Sequence, residues 1–204
     1  MHWPTHDVSN QPPPFIDIHL FETHPALRAM AERELAPQSV ASLCALGRWA
    51  GSPEAQTLAY RANRFPPELR THDRQGYRID QTEFDPAWHA LLSRLRASGL
   101  QGSAWLAASP TAHLERAMAF YLHAQVEAGS LCPVTMTSAA TPLLRRESWF
   151  EALAARLFSK DHDPRDLPIH RKQAILIGMG LTEKQGGSDL RGTTTQAVPE
   201  AQSG

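Results

Sequence analysis

Residues 175–189 read Ile175-Leu176-Ile177-Gly178-Met179-Gly180-Leu181-Thr182-Glu183-Lys184-Gln185-Gly186-Gly187-Ser188-Asp189. Three apolar residues pass into a glycine run that carries the hydroxyls of Thr182 and Ser188, an order that predicts a strand followed by a turn. Glycine removes the side chain that would hold a ligand away. Backbone N–H groups and two small hydroxyls then suit close contact with a flat polar ligand. The same residues also fit a plain glycine turn after a strand, because glycine pairs commonly serve only as turns.

Known nucleotide motifs do not describe this stretch. Gly178-Met179-Gly180 lacks a correctly spaced third glycine, and no helix with core periodicity follows it, so it is not a dinucleotide fingerprint. Lys184 precedes the Gly186-Gly187 pair, whereas a phosphate loop needs its lysine after the glycines. Ser188 sits in G-G-S-D, not in the G-x-S-x-G elbow that would mark a nucleophile. Elsewhere, His123 and Glu127 are four residues apart, a spacing open to two metal ligands. No third ligand accompanies them and such pairs are more often helix-face contacts, so neither a metal centre nor a catalytic residue is assigned.

The chain before this stretch reads as helix. Residues 1–22 hold Pro4, Pro12, Pro13 and Pro14 among aromatic residues and predict an extended arm, laid either across a neighbour or on its own domain. Helices are predicted from Pro25, from Pro37 to Gly51 and from Ser52-Pro53-Glu54 to the Pro66-Pro67 pair. Residues 66–84 read as a polar loop with a minor strand about Tyr77-Arg78-Ile79-Asp80. Asp85-Pro86 opens a helix that Gly99 closes, and Ser109-Pro110 opens the longest helix, running to about Ala128. After a break at Gly129-Ser130-Leu131-Cys132-Pro133, a helix rich in small residues spans Val134 to Arg146, and Ser148 with Glu151 offers a capping box for one more. The fold expected is therefore mainly α. It divides into an arm (1–22), a helical domain (23–160), a linker (161–173) and the start of a β domain (174–204).

Composition narrows the functional classes. Twenty basic and twenty-one acidic residues leave a net charge of −1, so no global field recruits DNA or an anionic membrane. Two cysteines without a C-x-x-C pair argue against a disulfide framework and fit a reducing cytoplasm. No apolar run approaches the roughly 20 residues of a membrane span, and no leader pattern opens the chain.

On these residues the chain resembles the acyl-CoA dehydrogenase family. The run from Met179 to Asp189 is similar to that family's flavin-binding signature T-E-P-x-A-G-S-D, with Lys184 in place of the proline and Gly186 in place of the alanine. The T-E-K-Q-G-G-S-D form resembles the AidB-like branch, the adaptive-response flavoproteins of DNA alkylation. Met1-His2-Trp3 with Thr5-His6 and Asn10-Gln11-Pro12, and His123-Ala124-Gln125-Val126-Glu127-Ala128-Gly129-Ser130-Leu131-Cys132-Pro133 continuing to Thr135-Met136-Thr137, agree with that branch. Weaker matches lie at Asn63 with Pro66-Pro67-Glu68-Leu69 and at Pro86-Ala87-Trp88-His89.

The resemblance implies an N-terminal helical domain followed by the first strand of a truncated β domain. It implies FAD as cofactor, contacted by Met179, Gly180, Leu181, Thr182, Glu183, Lys184, Gln185, Gly186, Gly187 and Ser188. The family reaction is CH–CH dehydrogenation of an acyl-CoA, commonly by a tetramer. Because the family's catalytic glutamate and most adenosine contacts come later than residue 204, the chain alone is expected to be an inactive fragment. The alternative expectation is a non-catalytic helical interaction module, or a DNA-alkylation-response accessory, completed by a partner chain. DNA binding by this segment itself is not expected.

Overall fold

The computed structural model describes residues 9–198. The expectations that rest on Met1 to Asp7, and on the final residues from Pro199, lie outside them. Seven α-helices and one two-stranded sheet form the described chain.

Proline and polar caps set the starts of the first four helices. α1 (Pro25–Glu34), α2 (Pro37–Ala50), α3 (Pro53–Arg64) and α4 (Pro86–Ala97) each carry proline in the first turn, where its missing N–H costs nothing. Ser52 Oγ accepts from Ala55 N at 3.2 Å, and Asp85 Oδ1 accepts from Ala87 N at 2.8 Å. Asp85 also pairs with Arg61 at 2.8 Å, which fastens α3 to α4. α4 ends in a Schellman turn: Gly99 adopts φ +72°, Gly99 N donates to Arg96 O and Leu100 N to Leu95 O. The buried Leu95 and Leu100 complete it on the core side.

The later helices depart from expectation in register. α5 (Ala112–Ala124) ends four residues before Ala128, and at 13 residues it is shorter than α2 or α6, which have 14 each. α6 (Leu131–Leu144) begins before Val134, because Pro133 falls in its first turn, where it does not break a helix. α7 (Phe150–Phe158) starts after Trp149 with no side-chain cap, so the capping box of Ser148 and Glu151 does not form. The polar loop is a hairpin, β1 (Glu68–His72) with β2 (Arg78–Glu83), paired antiparallel across a bulge between Arg70 and His72. Its turn is built by Asp73, whose Oδ1 accepts from Gln75 N and Tyr77 N, and by Gly76 at φ +87°. Both faces of the hairpin are largely solvent-exposed, so it lacks the apolar alternation by which a strand is recognised.

One core joins α1, α2, α4, α5 and α6 through Ala31, Leu43, Leu92, Met118, Leu122 and Val134. The described part of the arm lies on its own domain. Ile18 N donates to Gly51 O and Leu20 N to Gly47 O, and Phe21 is buried against α2. Gly47 makes this approach possible: a Cβ there would meet Phe21 Cβ at 2.4 Å and Phe21 N at 2.5 Å. Gly47→Ala is therefore expected to destabilise the chain by about 3 kcal/mol through overpacking. Urea denaturation checks this, and a midpoint equal to the parent's would contradict it.

Candidate functional site

The segment that follows the linker is held by side chains, not by a sheet. Among the described residues, Ile175 to Ile177 pair with no strand, and the isolated β-bridge that follows joins Glu183 with Gly186. Three of their backbone groups are met by the helical domain. Ile175 N donates to Arg156 O at 3.2 Å, Ile175 O accepts from Arg96 at 2.9 Å, and Ile177 N donates to Thr137 Oγ1 at 2.9 Å. Thr137 is free to accept because its own hydroxyl donates back along α6 to Pro133 O. Met179 N then meets Met136 Sδ at 3.4 Å. Side chains alternate as in a strand: Ile175 and Ile177 pack with Phe150 and Leu157, while Leu176 packs on the main core.

Arg96 organises this junction. Fully buried on α4, it donates to the carbonyls of Asp161, Ile175, Arg156, Leu157 and Ser159 over 2.5–3.5 Å. Burial pulls its pKa down to about 10, so it remains charged at neutral pH. Asp163, also buried, holds the linker from inside by accepting from Arg165 at 2.8 Å and from Gln173 N at 2.9 Å. Those bonds keep its carboxyl well below the usual range, the Arg165 pair contributing most. Against the linker, His162 Nε2 lies 3.0 Å from His89 Nδ1 on α4, beside the stacked Phe84 and Trp88. These residues line a cleft of about 420 Å³ on the side of Ile175 that faces α4.

From Gly178 onward the chain turns outward. Gly178, Met179, Gly180, Leu181 and Thr182 are exposed, as are Lys184, Gln185, Gly186, Gly187 and Ser188. Glu183 and Gly186 exchange backbone hydrogen bonds at 3.1 and 3.2 Å, closing a tight turn at Lys184-Gln185. The Glu183 carboxylate holds the segment that follows, accepting from Thr194 N at 3.0 Å and from the amide and hydroxyl of Thr195. Thr182 lies against Gly187, where a Cβ would approach its Oγ1 to 3.1 Å. Among the described residues, the amides of Leu181, Thr182, Gly187 and Ser188 donate to no protein acceptor. At Gly178, Gly180 and Gly186, a Cβ would meet nothing within 4 Å and no left-handed φ is required. Nothing among the described residues demands glycine there, whereas a ligand or another protein segment lying on that face would.

Residues 10–164 match the family model of the adaptive response protein AidB N-terminal domain. The chain belongs to this family. Over 200 residues it is 45% identical to the "Putative acyl-CoA dehydrogenase AidB" of Escherichia coli (strain K12), covering 97% of this chain and 37% of that protein. It thus spans well under half the length of this curated relative. Two solved structures share the fold. "Bd2924 apo-form" superposes with a TM-score of 0.73 at 21% identity, over 94% of this chain and 39% of that one. Caenorhabditis elegans ACDH-11, solved in complex with C11-CoA, gives 0.71 at 20% identity, over 95% and 33%. The helical acyl-CoA dehydrogenase-type fold expected from the sequence is the one observed.

Beyond the span that the family model matches, nine of the ten residues named from the signature are exposed and Glu183 is half-buried. His123 and Glu127 have separate occupations. His123 Nε2 lies 3.0 Å from Ser98 Oγ, and Glu127 accepts from Gly129 N at 2.7 Å and Ser130 N at 2.6 Å ahead of α6. Since α5 ends at Ala124, the two do not share a helix face. Of the residues that seat the segment, Met136 and Thr137 lie in the run that resembles the AidB-like branch, although the resemblance gave them no such role, and Arg96 belongs to no motif. Arg96 alone left a signal: with Trp88 and Leu92 it continues an i, i+4 row on the buried face of α4.

Proposed function

We propose that this chain is the N-terminal portion of an FAD-dependent, AidB-type acyl-CoA dehydrogenase, and that residues 179–188 form its flavin-facing lip. The observation that carries the reading is the exposed glycine face of free amides, with open Cβ positions at Gly178, Gly180 and Gly186. FAD, when bound, accepts hydride in a CH–CH dehydrogenation of an acyl-CoA. The chain's part is to donate the N–H groups of Leu181, Thr182, Gly187 and Ser188, and the hydroxyls of Thr182 and Ser188, toward the ring edge where negative charge develops. Arg96 and Thr137 orient that face by fixing Ile175 and Ile177. No group in this segment is placed to abstract a substrate proton, so the chain by itself is inactive. The same reading includes a cytoplasmic location, a homo-oligomeric complete protein and a role in the DNA alkylation response, with family membership as its support. No described helix is long and apolar enough to cross a membrane.

The purified chain is expected to show no acyl-CoA-dependent dye reduction; turnover with a stoichiometric flavin spectrum would overturn the inactivity. Grafted in place of the matching segment of the E. coli relative, the chain is expected to support flavin retention. Gly180→Val and Gly186→Val should then lower the bound flavin at least tenfold while leaving the helical circular dichroism unchanged. Undiminished flavin absorbance in both variants would refute the lip.

A further inference from the structure

At the opposite end of the domain, His19, Glu22 and Cys44 converge. Their ligand atoms all lie within 4.8 Å of one another. Cys44 Sγ is 3.5 Å from His19 Nε2 and 3.5 Å from Glu22 Oε1. Donors bound at 2.0–2.3 Å to a tetrahedral zinc lie roughly 3.3–3.8 Å apart. The two measured edges therefore already have the length that one such ion requires. Nitrogen, oxygen and sulfur together are a borderline-soft set, which suits Zn²⁺ and disfavours Mg²⁺ or Ca²⁺.

The three residues come from elements that fix their positions. His19 and Glu22 stand on the turn before α1, where His19 O accepts from both Thr23 N and Thr23 Oγ1 at 2.9 Å. Phe21, buried beneath that turn, seats it on α2, which carries Cys44. Arg28 holds Glu22 Oε2 at 3.2 Å and leaves Oε1 facing the thiol. Cys44 is half-buried and Glu22 exposed, so an ion has a path from solvent and room for a water as fourth ligand.

We propose that His19, Glu22 and Cys44 form a zinc-type cation site that clamps the arm to α2. On binding, the Cys44 thiol loses its proton to solvent, the His19 proton moves to Nδ1, and Nε2 takes the metal. In the metal-free protein Nδ1 accepts from Glu22 N at 3.3 Å, a long bond given up in exchange. One thiolate and one carboxylate neutralise the ion's two charges.

The test is a Co²⁺ titration of the purified full chain, followed by Zn²⁺ competition. The expected result is a near-ultraviolet thiolate-to-cobalt band and tetrahedral visible bands that saturate at one equivalent and vanish on adding Zn²⁺. Cys132→Ser should keep the band, Cys44→Ser should abolish it, and His19→Ala should weaken binding at least tenfold. Zn²⁺ should raise the thermal midpoint of the parent by about 5 °C and leave that of Cys44→Ser unmoved. A cobalt spectrum that stays octahedral, or a thiolate band that survives in Cys44→Ser, would overturn the site.

Discussion

Arg96→Ala should lower the stability of this chain by about 4 kcal/mol and free the linker from the helical domain. The guanidinium supplies five donors in a planar fork, and here it meets five carbonyls drawn from the end of α7, the linker and Ile175. Its removal strands the carbonyls of Leu157, Asp161 and Ile175, at a cost of about 1–3 kcal/mol for each one that water cannot reach, whereas Arg156 O keeps Ile175 N and Ser159 O keeps the Gln101 amide. Local yielding near Ser159 and Asp161 lets some of them find solvent, which keeps the total below the simple sum. Arg96→Lys retains charge but offers three rotatable donors without the fork, and is expected to recover less than half of the loss. Urea denaturation gives the stability, and amide exchange at Ile175 and Ile177 reports the release directly. A loss under 1 kcal/mol, or unchanged protection at both amides, would remove Arg96 from its organising place. The experiment also bears on the lip proposed for residues 179–188, since Arg96 is one of the groups that join that segment to the helical core.

Acidification from pH 6.5 toward pH 4 is expected to cost the chain up to about 3 kcal/mol through His123 alone. His123 is buried beside the Trp49 ring, 5.7 Å between centroids, and burial first, with the neighbouring Arg94 second, depresses its pKa from 6.5 to about 4. A base whose folded pKa is lowered binds its proton more readily when unfolded. Its contribution is therefore complete above the unfolded value near 6.5 and drains away as pH falls to the folded value near 4. His162, also lowered to about 4 by burial and by His89, adds a decline in the same window that acts on the linker. Asp163 titrates below this range, because its hydrogen bonds hold it ionised. Denaturation midpoints at pH 7.5, 6.0 and 5.0 should fall steadily in the parent and fall less in His123→Gln. Parallel pH profiles for the two would show that His123 does not carry the effect.

Helix starts were legible because they are local. Pro25, Pro37, Pro53 and Pro86 fix φ for a first turn whatever surrounds them, and Asp85 and Ser52 cap through bonds that span two or three residues. Of the hairpin 68–83, the alternation at Tyr77-Arg78-Ile79-Asp80 marks the start of β2, whereas β1 reads as loop because its pairing and the Asp73-Gly76 turn leave no apolar period. Pro133 was read as a breaker, although the same residue in a first turn starts a helix; only the position of Ser130 and Leu131 distinguishes the two.

For residues 175–189, the sequence by itself determined the chemistry of the face: small, glycine-lined and rich in unhindered amides after an apolar run. It also determined the family, since T-E-K-Q-G-G-S-D with its companions forms a pattern that residue order alone preserves. Only the tertiary structure decided how the apolar run is held. Its backbone groups are met by a threonine hydroxyl on α6, a carbonyl of α7 and the buried guanidinium of α4, residues 19 to 79 positions away in the chain. A strand's partners are implied by its pattern, but a side chain that satisfies an unpaired backbone from another helix leaves no period to read.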